Sequence, residues 1–317
     1  MKADRMNQSV TFYLLWFVFV STTFGGQAQK SAPQVTKGRI VRVENFSSNY
    51  IASRTIDIWL PDGYTDANKY AVLYMHDGQM LYDAEHTWNK QSWKIHEVAS
   101  ALLLLDSVKP FIVVGIWNAG LARHAEYFPQ KPFEQLTASQ KDTVVAQLKR
   151  MGRIEEAFAP NSDEYLKFIV DELKPYIDKT YSVYTNPDNT CIAGSSMGGL
   201  ISMYAICEYP EIFGRAACLS THWVGTFSME HNPCPDIFIQ YLKQQLPDPN
   251  THKIYFDCGD QTLDAMYPPI QKKVDQVMIR KGYDSISWIT QYFPGEEHSE
   301  KAWSKRLHIP LRFILGE

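Results

Sequence analysis

The stretch from Gly194 to Gly199, GSSMGG, contains the residue types that most directly indicate chemistry. Gly194, Ser196 and Gly198 form a Gly-x-Ser-x-Gly pattern after the apolar run NTCIAG and before the helix-like LISMYAICEYP. A serine between a strand and a helix sits in a sharp, strained turn that lifts its hydroxyl above the sheet. We expect a nucleophile elbow, with Ser196 as the attacking group and the Met197 N–H as an oxyanion donor. A turn that merely packs the helix against the strand is the alternative.

A serine hydroxyl is a weak nucleophile at neutral pH, so an elbow requires a base. Where this elbow occurs, the chain order is serine, acid, histidine. His298 fits that order, because it lies between the strand-like SISWITQYFPGEE and the last helical segment. His222 follows the strand-like AACLS, where it could line the pocket, whereas His252 and His308 lie in a turn-rich segment and in a helical pattern. We predict that His298 is the base.

The acid should follow the strand-like KIYFDCG, and three aspartates are candidates. Asp257 is inside the strand and should point away from the loop. Asp260 comes one residue after Gly259, and Asp264 comes five residues after it. An acid that orients an imidazole has to reach across from the loop. We therefore favour Asp264, with Asp260 as the alternative.

The second oxyanion donor should come from the loop after the strand-like YAVLYMH. That loop begins HDGQMLYD, so Gly78 or Gln79 would supply the N–H. The adjacent His76 and Asp77 could suggest a metal site, but no third ligand lies at a suitable spacing. We expect neither a metal ion nor a cofactor.

The elements around these residues predict an α/β fold. RIVRVENF and SRTIDIWLPDGY alternate apolar and polar residues, which favours two antiparallel strands. The later strand-like runs are almost continuously apolar and alternate with amphipathic helices, which indicates a mainly parallel sheet covered on both faces. Residues 131–161 are expected to form a polar, helical insertion, either a lid over the site or an inert exposed segment.

The N-terminus has the features of a targeting segment. Lys2 and Arg5 precede a short apolar run, VTFYLLWFVFV, and Gly26 and Ala28 fit a small-residue cleavage site. We expect a signal peptide at residues 1–28, a linker at 29–37 and one catalytic domain at 38–317. The protein would then be secreted or periplasmic, without a membrane span after processing; an uncleaved anchor is the alternative.

The composition restricts the partners. The net charge is −4 and no basic cluster is present, so the sequence gives no indication of nucleic-acid binding. The five cysteines are an odd number without a CxxC pair, and we expect buried free thiols. The oligomeric state is left open.

The chain resembles the esterases of the α/β-hydrolase superfamily that include carbohydrate esterase family 1, esterase D and the enterochelin esterases. The resemblance covers about residues 38–316 and rests on RTIDIWLPDGY, YAVLYMHDGQMLYD, IVVGIWNAGLARHAEYFP, GSSMGGLISMYAICEYPEIFG, YFDCGDQTLDAMY and EEHSEKAW. HDGQ stands where many relatives have a glycine-rich loop, and the acid loop GDQTLD is longer than in some of them. The resemblance implies an α/β-hydrolase fold and the triad Ser196, His298 and Asp264.

The resemblance also implies that a loop after the fourth strand frames the cleft, with Asn118, Arg123, Glu126 and Tyr127. The expected activity is hydrolysis of acyl esters, acetyl or feruloyl, on a small ester or an acylated oligosaccharide of the xylan type. A siderophore esterase and a non-catalytic carbohydrate-binding relative are the alternatives. Aromatic residues that could stack on the substrate, or instead pack in the core, are Trp88, Trp117, Tyr127 and Trp223.

Overall fold

The computed structural model describes residues 32–155 and 157–316. The predicted signal peptide and residues 29–31 of the predicted linker lie outside the described residues. Within the described ranges, no helix is both long and apolar enough to cross a lipid bilayer.

A single eight-stranded sheet with the strand order β1-β2-β4-β3-β5-β6-β7-β8 forms the centre of the fold. β2 pairs antiparallel with β1 and β4, and all other neighbouring strands are parallel. The predicted antiparallel start and mainly parallel sheet are therefore confirmed. The strands are β1 Arg39–Phe46, β2 Arg54–Leu60, β3 Ala71–His76, β4 Phe111–Ile116, β5 Thr190–Ser195, β6 Arg215–Leu219, β7 Lys253–Cys258 and β8 Trp288–Tyr292.

Helices cover both faces of the sheet, and the buried apolar side chains form two separate clusters. This agrees with the continuous apolar runs, because a strand covered on both faces has no side that needs polar residues. The helices are α1 Ile95–Leu104, α2 Arg123–Tyr127, α3 Gln130–Glu134, α4 Ala138–Arg150, α5 Ser162–Lys167, α6 Lys174–Thr180, α7 Met197–Glu208, α8 Cys234–Gln245, α9 Pro268–Arg280, α10 Glu300–Arg306 and α11 His308–Leu315.

Two prolines interrupt helical segments of the sequence. A wider helical turn at Phe168–Leu173 joins α5 to α6 just before Pro175. The last helical segment is divided into α10 and α11 at Leu307, three residues before Pro310. A proline has no N–H to donate and crowds the preceding turn, so the helix must change its pitch or end there.

The insertion predicted at residues 131–161 is helical up to Arg150, apart from a short turn between α3 and α4. It contains α4, which begins with a capping box in which Thr137 and Gln140 each bond the other's backbone N–H. All five cysteines are free and buried, which confirms the predicted state of the thiols.

Because β3, β5, β6 and β7 are parallel, their carboxyl ends lie along one edge of the sheet. The loops after these strands begin at Asp77, Ser196, Ser220 and Gly259. These loops contain most of the side chains that the sequence analysis selected.

Candidate active site

Ser196 occupies the turn between β5 and α7 in a backbone conformation that residues other than glycine rarely adopt. Its φ is 58° and its ψ −122°, which is strained for a residue with a Cβ. A Cβ on Gly194 would lie 2.7 Å from the carbonyl carbon of Gly198, so the close approach of strand and helix requires glycine. The Ser196 N–H donates to the carbonyl of Leu219 (3.0 Å), which ties the turn to the end of β6. This is the geometry of a nucleophile elbow.

His298 and Asp264 lie within hydrogen-bond distance of each other. The Nδ1 of His298 is 2.5 Å from Oδ1 of Asp264. The His298 side chain is 13 % exposed, whereas that of Asp264 is fully buried. The two loops are also joined by the backbone N–H of His298, which donates to Oγ1 of Thr262 (3.0 Å). A buried carboxylate on Nδ1 leaves Nε2 available to accept a proton.

The other two aspartates of this region make different contacts. Asp260 accepts from the Tyr292 hydroxyl (2.6 Å) and the Gly295 N–H (2.8 Å), so its carboxylate joins the loop after β7 to the end of β8. Asp257 pairs with Arg306 inside the protein. Of the three candidates, only Asp264 is placed against the imidazole of His298.

The loop after β3 is held in place by the carboxylate of Asp77. Asp77 has left-handed backbone angles and begins a short 3-10 turn. The first backbone hydrogen bonds within the turn are donated by the N–H groups of Met80 and Leu81. The N–H groups of Gly78 and Gln79 therefore lie at the N-terminal end of the turn, where they have no partner within it. A Cβ on Gly78 would lie 2.6 Å from the carbonyl carbon of Gly115, so the loop packs tightly against β4.

The Met197 N–H lies at a second open helix end. Met197 is the first residue of α7, which has twelve residues. The first N–H groups of a helix lack internal partners and carry partial positive charge. The two predicted sources of oxyanion donors thus belong to adjacent turns, since a Cβ on Gly198 would lie 3.3 Å from both Asp77 Oδ2 and His76 Cβ.

Arg123 and Asn118 fix the Asp77 carboxylate. Arg123 binds it through Nε (2.6 Å) and Nη2 (2.7 Å), and Asn118 donates from Nδ2 (2.7 Å). Burial alone would raise the pKa of Asp77, but Arg123 and Asn118 outweigh it and hold the pKa below its usual range. Both residues therefore orient the loop in which the sequence analysis predicts an oxyanion donor.

Glu126 and Tyr127, which the resemblance implied as cleft residues, are buried behind this loop. Glu126 is 2 % exposed and is bound by both terminal nitrogens of Arg54. The Tyr127 hydroxyl accepts from the Asp77 N–H at 3.4 Å. Because both side chains are buried, they have no surface for a substrate, and Tyr127 supports the loop through Asp77.

The aromatic candidates occupy three different environments. Trp223 is fully buried and donates to Gln271 (2.8 Å), so it belongs to the core. Trp117 is half-buried and donates to Asp57 (2.8 Å) near the edge of the sheet. Trp88 is 85 % exposed, and its neighbour Asn89 bonds Glu300, two residues after His298. Trp88 is therefore the candidate that is free to contact a substrate.

His222 lies beneath the elbow. Its backbone N–H donates to the carbonyl of Ser196 (3.1 Å), and the ring Nδ1 is 2.6 Å from the hydroxyl of Tyr267. Burial lowers the pKa of His222 well below its usual range, so its imidazole is neutral. The sequence analysis missed Tyr267, since a tyrosine just before a proline-capped helix carries no distinctive pattern.

His76, at the end of β3, is buried beside the predicted oxyanion loop. Burial lowers the pKa of His76 to about 3, and its Nδ1 bonds the Tyr165 hydroxyl at 2.8 Å. In the part of the chain that the structure describes, no three histidine, cysteine, aspartate or glutamate side chains are grouped to hold a metal ion.

Two sequence relatives show what the chain is similar to. It is 24 % identical over 280 residues to "Uncharacterized protein YbbA" of Bacillus subtilis, covering 86 % of this chain and 97 % of that protein. It is 27 % identical over 239 residues to the "Endo-1,4-beta-xylanase/feruloyl esterase" of Xylanibacter ruminicola. That match covers 72 % of this chain but 25 % of the larger protein.

Two solved structures share the fold. The ferulic acid esterase AmCE1/Fae1A of Anaeromyces mucronatus, solved with ferulic acid, has a TM-score of 0.59 at 18 % identity, covering 90 % of this chain and 94 % of that one. The enterobactin esterase FES of Shigella flexneri has a TM-score of 0.58 at 17 % identity, covering 89 % and 60 %. At these identities the similarity establishes the α/β-hydrolase fold, as the sequence analysis expected.

The fold and the family comparison together define a serine carboxylic ester hydrolase. The model of the family described as "Putative esterase" matches residues 47–314, which is most of the chain. The chain belongs to this family, and the suspected relationship is confirmed.

Proposed function

We propose that the protein is a secreted or periplasmic esterase that removes acetyl or feruloyl groups from a carbohydrate, with Ser196, His298 and Asp264 as its catalytic triad. The observation that carries this proposal is the strained turn at Ser196 together with the bond of 2.5 Å between His298 and Asp264. Strain of this kind persists only where the surrounding structure imposes it, and it is concentrated at active sites.

The proposed reaction has two steps. The Ser196 hydroxyl attacks the ester carbonyl while His298 takes its proton, and His298 then gives that proton to the departing alcohol. Water, activated by His298, releases the acid from the acyl-enzyme. The N–H of Met197 and that of Gly78 or Gln79 would bind the oxyanion, which supplies the main electrostatic stabilisation.

The carbohydrate substrate is supported by one relative and by one side chain. The Xylanibacter ruminicola relative is named as a xylanase and feruloyl esterase. Trp88 presents an exposed indole on a segment bonded to the His298 loop. An indole can stack on a phenolic ring or on the apolar face of a sugar, and both occur in feruloylated xylan.

The test compares hydrolysis of p-nitrophenyl acetate, methyl ferulate and acetylated xylan by the wild type, Ser196→Ala and Ser195→Ala. Ser195 is the matched control, because it is the neighbouring serine and is buried in β5. We expect Ser196→Ala to lose activity on every substrate and Ser195→Ala to keep it. Equal rates for Ser196→Ala and wild type would refute the serine assignment.

Export is tested separately. The proposal rests on the sequence features of residues 1–28. Expression of the full chain in a bacterial host, followed by fractionation and N-terminal sequencing, should give a mature chain that starts near residue 29. An uncut chain in the membrane fraction would support the anchor instead.

A siderophore ester is the second candidate, because the structure has a free cation that the sequence analysis did not identify. Among the described residues Arg153 makes no ion pair; it lies over the Phe227 ring, 4.8 Å from its centre. Burial and then the charge of Arg123 lower the pKa of Arg153. Hydrolysis of enterobactin but not of the feruloyl or acetyl esters would favour this candidate. Sugar binding without labelling by a serine-directed phosphonate would instead identify a non-catalytic relative.

A further inference from the structure

The second oxygen of the Asp264 carboxylate lies in a buried polar network that the sequence analysis did not foresee. Asp264 Oδ2 accepts from the Ser220 hydroxyl (2.6 Å) and from the Gly259 N–H (2.7 Å). Ser220 follows β6 and is fully buried, with a φ of 40° that strains its backbone. A serine held in this conformation at the edge of the site needs an explanation.

The direction of the Ser220 hydroxyl proton follows from its three partners. Trp303 donates to the Ser220 oxygen from Nε1 (2.9 Å), and Arg306 donates from Nη2 (3.1 Å). Tryptophan and arginine can only donate, so both lone pairs of the hydroxyl are in use. The hydroxyl proton must therefore point to Asp264, the only one of the three partners that can accept it.

Arg306 is itself fixed on its other side. Its Nε and Nη2 bind the carboxylate of Asp257 at 3.1 Å and 3.0 Å, and the Ser220 N–H also donates to Asp257 (2.9 Å). A bidentate pair of this kind gives a rigid geometry. Trp303 meanwhile packs edge-on against the His298 imidazole, with ring centres 4.9 Å apart.

We propose that Ser220 is a positioning residue for the reaction: its hydroxyl, which accepts from Arg306 and Trp303, donates to Asp264 and keeps that carboxylate aimed at His298. The inference rests on the proposed function, because it concerns the acid of the same triad. Ser220 touches neither the substrate nor the reacting atoms, and it acts only through Asp264.

The pH profile distinguishes this role from simple packing. Without the Ser220 hydroxyl, the Asp264 carboxylate accepts one hydrogen bond fewer, so more of its negative charge stays on the oxygen that faces His298. That charge favours the protonated imidazole over the neutral form, and the acidic limb of kcat/KM moves to higher pH.

Four other titratable side chains are buried around the pair. Burial raises the pKa of Cys258 to about 12 and that of Tyr267 well above its usual range, and it lowers that of His222. Burial, opposed by Arg306, raises the pKa of Asp257. The backbone N–H of residue 220 stays on Asp257 when the side chain is shortened, so Asp257 changes little between wild type and variant.

The experiment measures kcat and KM for p-nitrophenyl acetate between pH 5 and 9 in the wild type, Ser220→Ala and Ser287→Ala. Ser287 is the matched control, because it is a buried serine whose hydroxyl accepts from the Asp284 N–H and donates to the Asp284 carboxylate, at the opposite end of the sheet. We expect Ser220→Ala to lower kcat by about 10- to 100-fold, the value of a hydrogen bond to a charged group, with little change in KM. The acidic limb should move up by about half a unit to one unit.

A wild-type kcat and acidic limb in Ser220→Ala would overturn the inference. So would a loss of kcat with an unmoved limb, because that result describes packing. If Ser220→Ala does not fold, Ser220→Cys, which keeps a weak donor, should show a smaller shift in the same direction, and an unmoved limb there also refutes it. Activity in Ser196→Ala would instead refute the proposed function, so the two failures are distinguishable.

Discussion

Replacing Asp264 with asparagine gives the sharpest test of the proposed acid. In the wild type, Oδ2 of Asp264 accepts from Ser220 and Gly259, and Oδ1 faces Nδ1 of His298. The two donors at Oδ2 would hold the asparagine oxygen on their side. The amide NH2 would then face Nδ1 of His298 and move the imidazole proton to Nε2, where it blocks proton transfer from Ser196.

The magnitude follows from the lost charge. Two unit charges about 4 Å apart attract by about 4 kcal/mol at an effective dielectric constant of about 20, which is close to a thousandfold in rate. The tautomer effect adds to this value. We expect Asp264→Asn to lower kcat by about a thousandfold or more, measured with p-nitrophenyl acetate on enzyme whose folding is verified by circular dichroism.

Asp260→Asn is the matched control, because it is the same substitution four residues earlier in the same loop. Asp260 bonds Tyr292 and Gly295 rather than the imidazole. Its kcat should therefore stay within about threefold of wild type, as for most surface substitutions. A loss in Asp260→Asn that equals or exceeds the loss in Asp264→Asn would refute the assignment.

Three further outcomes follow from particular contacts. Trp88→Ala should raise KM for methyl ferulate about threefold to tenfold, the value of one aromatic contact, while KM for ethyl acetate stays constant; an equal change in both would exclude ring stacking. Glu126→Gln leaves Arg54 buried without its counter-charge, so urea titration should show a loss of about 3–5 kcal/mol in the free energy of unfolding, and a loss under 1 kcal/mol would contradict this. Burial lowers the pKa of His76 and of His124 to about 3. The unfolded state therefore binds more protons than the folded state below pH 6.5. As the pH falls below that value, each histidine should lower the free energy of unfolding by about 1.4 kcal/mol per pH unit; equal urea midpoints at pH 7 and pH 5 would contradict it.

The sequence predicts the sheet well, because the apolar runs that favour local strand structure are also the runs that must be covered on both faces. Apolar runs covered on both faces have few alternatives to central parallel strands. The insertion at residues 131–161 was expected to be helical, and α4 with its capping box confirms this. Pro175 and Pro310 altered the helices locally without changing the topology.

Side-chain direction within the loops could not be predicted in this way. Glu126 is expected to frame the cleft and Trp223 to contact the substrate or pack in the core, and in the structure one pairs with Arg54 and the other with Gln271 in the interior. The direction depends on partners distant in the chain. Ser220 was missed for the same reason, since its three side-chain partners lie 44 to 86 residues later.

A bidentate arginine–aspartate pair lies beside each of the two loops on either side of Ser196. Arg123 binds Asp77 through two nitrogens beside the predicted oxyanion turn, and Arg306 binds Asp257 through two nitrogens beside the acid loop. Burying a charged pair costs about as much free energy as the attraction returns, so such pairs add little to stability. Their fixed bidentate geometry instead restricts the position of the adjacent loop. Because catalysis requires oriented dipoles more than it requires a stable core, the position of these two pairs is better explained by the reaction than by folding.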